Sequence, residues 1–332
     1  MSLTPKKLIL ILAPLAILLT AGLGYAIGKQ HCAQLNTPND NIPNLYQNHA
    51  GSPLLPNTLD LAGEQVPLDV YYVREALDKE LIVNCYQHSK TIQIIKRSAR
   101  YFPVIEPILK EEGVPDDFKY LCVAESGLEN VVSPAKAAGF WQFLASTAKI
   151  YGLEVSDDVD ERYNLEKATH ADCKYLKNAK ASLGSWALAA AAYNMGEVNL
   201  KKNIENQDVN NYWDLYLNQE TARYVYRILS YKLIMENPVD YGYGYCQANL
   251  YHPIPCKEIT VTSPLPNLYD FAKEQGISYK ELKFLNPWLR NSKISVAGKK
   301  YTLKIPEKNK NNYYDLYRHI PNPYVVACDS VK

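Results

Sequence analysis

From Val70 onward, apolar residues recur at helical spacing and hold that period to about residue 236. Leu77, Leu81, Asn84 and Cys85 form one stripe, and Ile92, Ile95 and Ala99 continue it after a polar break. Phe102-Pro103 and a Glu106–Lys110 turn lead into Gly113-Val114-Pro115-Asp116-Asp117, which reads as a helix stop followed by a new start. Asp116 or Asp117 is placed to cap the next helix, Phe118–Glu125. Residues 133–153 alternate turn signals with short apolar runs. A helix is predicted over Leu165–Ala179. Leu183–Asn194 is apolar on every side, the pattern of a helix buried in the middle of its domain. Glu220–Met235 is a further helix, closed by Asn237-Pro238. Strand alternation is nearly absent here, so the domain spanning 67–236 is predicted to be mainly α.

The flanks follow other patterns. After a Tyr- and Pro-rich loop (237–256), Ile259-Thr260-Val261 reads as a strand. Leu268–Glu274 and Tyr279–Leu285 read as short helices, and Tyr301–Ile305 as a second strand before Pro306. The order over 257–306 is β-α-α-β, and the tail 307–332 has little pattern. Residues 29–66 are rich in Pro, Asn and Gln without apolar period, the composition of a tether. Leu8–Gly28 carries no charge behind Lys6 and Lys7. At about 1.5 Å per residue it spans roughly the 30 Å core of a bilayer. The expectation for 1–28 is an anchor with the rest of the chain outside the cytoplasm. A cleaved signal ending near Gly24-Tyr25-Ala26 gives a secreted form on the same side.

Composition narrows the function classes. The 332 residues suffice for one large or two modest domains. Lys+Arg at 36 against Asp+Glu at 35 leaves no basic footprint, so no nucleic-acid partner is expected. The seven cysteines form no zinc spacing, and no metal or cofactor is expected. Cys246 and Cys256 flank one loop and are the candidate disulfide, whereas Cys122 and Cys173 lie in helical patterns as buried thiols. Tyr is abundant at 27 against 6 Phe, which suits either a sugar-lined cleft or half-buried positions.

Glu125 stands out among the ionisable residues. Phe118, Leu121, Cys122 and Glu125 share one helix face, so the carboxyl lies on the apolar stripe and in the last turn before Gly127. Burial and the negative helix end both favour its protonated form, as a general acid for glycosidic bond cleavage requires. The same pattern fits a core carboxylate paired with a cation. Ser133 opens a small-residue turn running to Gly139-Phe140-Trp141-Gln142-Phe143. Gly139 permits close backbone approach to a ligand, Gln142 offers an amide, and Phe140 and Phe143 offer apolar walls. Tyr193 and Asn194 close the apolar helix before Gly196.

Glu125-Ser126, Gly139-Phe140-Trp141-Gln142-Phe143 and Ala192-Tyr193-Asn194, in that order, resemble the soluble-lytic-transglycosylase domain of family 23 glycosidases. Within that family the chain is most similar to the membrane-bound lytic murein transglycosylase D group. Glu220-Thr221-Ala222-Arg223-Tyr224-Val225 matches a further motif, and the resemblance covers about residues 100–235. It implies a lysozyme-like helical fold in the cell envelope, acting on peptidoglycan glycan strands without metal. Glu125 is then the catalytic acid and base. Ser133, Gly139, Phe140, Gln142, Tyr193, Asn194 and Glu220 are the implied substrate contacts, with Glu220 equally placed to hold Arg223 or another cation. The segment from Glu125 to Ser133 is one residue shorter than the family pattern.

Residues 257–306 resemble a LysM module, through Leu282-Lys283-Phe284-Leu285-Asn286 and Lys300–Pro306. The usual Gly-Asp-Thr turn is replaced by Ser263-Pro264-Leu265-Pro266-Asn267, which leaves the unit as a glycan binder or a structural cap. Goose-type hydrolysis and a non-catalytic wall-binding scaffold are the rival readings.

Overall fold

The computed structural model describes residues 51–245, 249–295 and 298–307. The chain is mainly helical, as its periodicity predicts. A short hairpin, β1 (Asp60–Leu61) and β2 (Glu64–Gln65), precedes α1 (Tyr71–Tyr86), α2 (His88–Glu112) and α3 (Phe118–Ser126). Then come α4 (Ala145–Ile150), a 3₁₀ turn at Glu161–Tyr163, α5 (Leu165–Leu183), α6 (Trp186–Met195), α7 (Glu197–Gln207) and α8 (Gln219–Glu236). The C-terminal unit is β3 (Cys256–Val261), α9 (Leu268–Glu274), α10 (Tyr279–Leu285) and β4 (Tyr301–Pro306). Among the described residues, no helix is long and apolar enough to cross a membrane. The Leu8–Gly28 run, Cys246 and most of the tail lie outside them.

Helix α6 is the centre of the domain. Ala187 through Ala192 are all buried, and the small side chains let α5, α7 and α8 close around it. Its N-terminus is held by Ser185, whose Oγ accepts from Leu188 N, and by Glu64 from the hairpin. Trp186 N and Ala187 N donate to the Glu64 carboxylate at 2.7 and 3.2 Å, and Lys180 pairs with it at 2.7 Å. Burial alone would raise the Glu64 pKa, but Lys180 and the helix-end N–H groups outweigh it and hold the carboxyl below its ordinary value.

Four local expectations are corrected. The tether expected over 29–66 does not extend to its last residues, because Leu59, Leu61 and Val66 are core residues. Helix α2 runs unbroken through Pro103 and Pro107, and its buried stripe uses Ile94 and Ile95 while Ile92 is 48% exposed. Packing of Ile105, Ile108 and Leu109 outweighs the lost backbone bonds. Neither Asp116 nor Asp117 caps α3 through its side chain. Asp117 Oδ2 instead accepts from Ala62 N and pairs with Lys232, both at 2.7 Å, tying the hairpin to α3 and α8. Helices α4 and α7 were not legible as such. Cys85, Cys122 and Cys173 are buried free thiols, and Cys256 also carries a free thiol.

In the C-terminal unit, β3 and β4 pair antiparallel with Ile259 opposite Leu303, and the predicted β-α-α-β order is observed. The Ser263–Asn267 segment is closed by mutual Leu265–Ile294 backbone bonds, and Asn267 caps α9. The unit shares one apolar cluster with Ala138, Val159 and Tyr163 of the helical domain. Asp160 N donates to Trp288 O, and the Asp158 carboxylate accepts from Asn291 and Ser295. The same 158–163 loop supports the motif turn. The Arg162 guanidinium, paired with Asp160 at 2.7 Å, donates to Lys136 O and Phe143 O.

Gly139 has φ +85°, and a Cβ there would lie 1.8 Å from Arg162 O. The close backbone approach read from this glycine is therefore an approach of the protein's own chain. Gly139→Ala is expected to destabilise the fold by about 3 kcal/mol, through strain and forced separation of the two segments. A shift of the urea midpoint at unchanged slope measures it.

Candidate active site

Glu125 sits in the last turn of α3 where that helix packs on α8. Glu125 is half-buried, and desolvation is the largest influence on its carboxyl. The Tyr224 hydroxyl on α8 donates to Glu125 Oε1. Burial pushes the Glu125 pKa up to about 7; the Tyr224 bond and Arg227 pull it down, and Glu220 pushes it up. The helix-end dipole is met separately. Arg97 Nη1 donates to Gly127 O at 2.9 Å, just beyond the last turn of α3.

Glu220 is exposed and paired with Arg227 at 2.9 Å, so the cation it holds is Arg227 rather than Arg223. Arg223 pairs with the buried Glu80, which Arg227 also approaches. This ladder places one cation near Glu125 and partly cancels it with Glu220 and Glu80.

Asn194 terminates the apolar helix and reaches α8. Thr221 Oγ1 donates to Asn194 Oδ1 at 2.7 Å, which leaves the amide N–H groups of Asn194 available. Asn194, Asn199, Lys202, Asn203, Glu220 and Thr221 line a groove of about 630 Å³. Its walls are amide-rich and suit a saccharide.

The remaining predicted contacts serve the turn more than the groove. Ser133 Oγ accepts from Ala137 N at 3.0 Å within its own turn. Gln142 has φ +50° and spends its amide donor on Gly139 O and Val131 O, at 2.6 and 3.0 Å. Phe140 and Phe143 are both buried; Phe140 lies edge-on to Tyr101, with which it borders a cavity separate from the groove. Tyr193 donates to Trp141 O at 2.6 Å, while Trp141 Nε1 donates to Thr169 Oγ1 at 2.9 Å. The Tyr193 hydroxyl bond thus runs inward, against the expectation that it faces a cleft.

Sequence reasoning missed Tyr224, Thr221 and Asp172. The first two stand inside the quoted 220–225 motif, where the acid drew attention instead. Asp172 carried only one signal, an acidic residue in the buried stripe of α5 with Ala168, Thr169 and Leu176. A cavity of about 740 Å³ lies elsewhere, between Tyr101, Phe140 and Tyr163 and the C-terminal Phe284, Trp288 and Tyr301. Glu125 does not line it. No cluster of potential metal ligands occurs among the described residues.

Because the folded pKa of Glu125 lies above its ordinary 4.5, the folded state holds this proton more tightly than the unfolded chain. The associated stability is complete below about 4.5 and is lost as pH rises through about 7, a difference of about 3 kcal/mol. Glu125→Gln removes that dependence. The stability of the variant relative to wild type is expected to rise by about 3 kcal/mol between pH 4.5 and pH 8. Urea unfolding at both pH values checks this.

Residues 102–216 match the transglycosylase SLT domain, and residues 257–309 match the soluble lytic transglycosylase C-terminal LysM-like domain. The membrane-bound lytic murein transglycosylase D of Escherichia coli strain K12 is 28% identical over 243 residues, which is 71% of this chain and 52% of that protein. Its counterpart in Escherichia coli O6:H1 strain CFT073 gives the same values. The chain spans about half the length of these curated relatives. A lysozyme-like helical domain followed by a β-α-α-β unit, matched in that order, identifies a transglycosylase SLT domain with a LysM-like C-terminal domain behind it, in a chain homologous to the Escherichia coli lytic murein transglycosylase D.

Proposed function

We propose that the protein cleaves peptidoglycan glycan strands at the β-1,4 bond between N-acetylmuramic acid and N-acetylglucosamine, leaving 1,6-anhydromuramoyl ends. The observation that carries this reading is the Glu125 carboxyl, whose pKa burial raises to about 7, on a helix packed against α8, the helix that also lines the amide-rich groove through Glu220 and Thr221. Glu125 donates its proton to the glycosidic oxygen as the C1–O bond breaks. The muramoyl acetamido oxygen bonds to C1 from the opposite face. The Glu125 carboxylate then takes the proton of the C6 hydroxyl, whose oxygen displaces the acetamido oxygen from C1. Water is not consumed.

The surroundings favour this over hydrolysis. Two-carboxyl glycosidases place a second carboxylate across the scissile bond. Near Glu125, Glu220 is salt-bridged to Arg227 and Asp172 is fully enclosed, so neither is placed to direct a water. Asn194 offers its free amide donors to the acetamido carbonyl. Ser133, Gly139, Phe140 and Gln142 act mainly by shaping their own turn, and Tyr193 by supporting it. The uncharged Leu8–Gly28 run supports a place in the cell envelope, anchored at the inner membrane with these domains in the periplasm. For the LysM-like unit, the closed 263–267 segment and its docking on the 158–163 loop support a structural role.

Incubation with purified sacculi, followed by mass spectrometry of the released muropeptides, tests the reaction. Products are expected to be lighter by one water than hydrolysed ones. Glu125→Gln is expected to lower turnover at least about a hundredfold while glycan binding persists. Products with free reducing ends would establish hydrolysis, and no release at all would establish a scaffold.

A further inference from the structure

One buried ionisable group has no part in this scheme. Asp172 on α5 is completely enclosed, and neither of its carboxyl oxygens receives a hydrogen bond. The ionisable groups close enough to act on it electrostatically are the Cys122 thiol and Glu125 carboxyl from α3, the Tyr193 hydroxyl from α6 and the Tyr224 hydroxyl from α8. Cys173 and Tyr175 flank it on its own helix. None of these is a cation. An enclosed carboxylate with neither cation nor donor is strongly disfavoured, so the form this site accommodates is the neutral acid.

The neutral acid differs from the carboxylate in having an O–H to donate. Tyr193 supplies the acceptor beside it. That hydroxyl has already given its own proton to Trp141 O at 2.6 Å, so its oxygen lone pairs are the complement of a donor and not of a carboxylate.

We infer that Asp172 is a positioning residue that, as a neutral acid, donates to Tyr193 Oη and completes a chain from Asp172 through Tyr193 to the Trp141 carbonyl. The chain fixes the Gly139–Phe143 turn on α5 and α6 next to Glu125. Trp141 Nε1 on Thr169 Oγ1, one turn before Asp172, is the second tie of the same turn to the same helix. Enclosure pushes the Asp172 carboxyl well above the usual range, outweighing the Tyr193 hydroxyl, which pulls it down, and Glu125 pushes it further up. Once Glu125 is ionised, its charge further opposes ionisation of Asp172. One carboxyl cycles and the other stays neutral.

The effect on turnover rests on the role proposed for Glu125, whereas the protonation state of Asp172 is measured without it. Asn and Leu share the branching of Asp at Cγ, so Asp172→Asn keeps a donor and Asp172→Leu removes it at similar shape. In the full chain acting on sacculi, Asp172→Asn is expected to retain kcat within about threefold, with the alkaline limb of the pH profile unmoved. Asp172→Leu is expected to lower kcat about tenfold with KM within about twofold and Tm not reduced. Infrared spectroscopy at pH 9, where Glu125 is ionised, is expected to show a protonated carboxylic acid in wild type that Asp172→Asn abolishes. The inference is overturned if that band is absent, or if Asp172→Asn is as damaging as Asp172→Leu. It is also overturned if the alkaline limb moves to lower pH in Asp172→Asn, which would reveal a charge at position 172, or if Asp172→Leu loses kcat and Tm together. Should wild type release nothing from sacculi, the proposed function falls and the infrared band alone decides the state of Asp172.

Discussion

A carboxyl that keeps its proton near neutral pH has to be held where water is scarce, and the helical domain is arranged around that requirement. Desolvation is the largest influence on Glu125, and it exists because α3 lies directly on α8. That contact depends in turn on α6. A helix made of alanines between Ala187 and Ala192 takes little space, so α5 and α8 both close on it. Its N-terminus is fixed by Glu64, which belongs to a hairpin nearly sixty residues before α3 in sequence order. Distant segments thus contribute to one electrostatic outcome through packing alone.

The C-terminal unit enters the same chain of support. It docks on the 158–163 loop through Asp158 and Trp288, and Arg162 of that loop holds the turn carrying Gly139 through Phe143. The turn is strained at Gln142, where a residue with a Cβ adopts φ +50°. Its own amide, the Arg162 guanidinium and the Tyr193 hydroxyl all bond to its backbone carbonyls. A strained turn persists when its surroundings over-determine it, and here three independent side chains do so. The LysM-like unit therefore acts on the site by bracing a loop.

The helices were legible in the sequence where burial imposes a period. Leu165 onward, Trp186–Met195 and Gln219–Glu236 all bury a continuous face, and their patterns predicted them. Helix α7 buries Leu200 as its only fully enclosed residue, so it left no stripe to read. Glu125 was legible because a lone acid on an apolar face is a conflict that the sequence displays directly. Roles within the turn were not. Whether Gln142 offers its amide to a ligand or to Gly139 O depends on backbone torsion, and whether Tyr193 points in or out depends on the position of Trp141. Both are tertiary facts that single residues do not encode.

The pair of influences opposing burial completes the physical account of Glu125. If desolvation acted alone, the carboxyl would be a durable acid and a poor base, because its charged form would be too costly. Tyr224 donates to the charged form and Arg227 attracts it, while Glu220 and Glu80 limit how much of the Arg227 charge is felt. The balance falls at about 7, where neither protonation state is far in free energy from the other. The role proposed for Glu125, giving up a proton and then taking one back within a single turnover, calls for this near-equality. Burial supplies the acid, the Tyr224 hydroxyl and the Arg227 ladder supply the base, and the helix pair α3–α8 carries both on one surface.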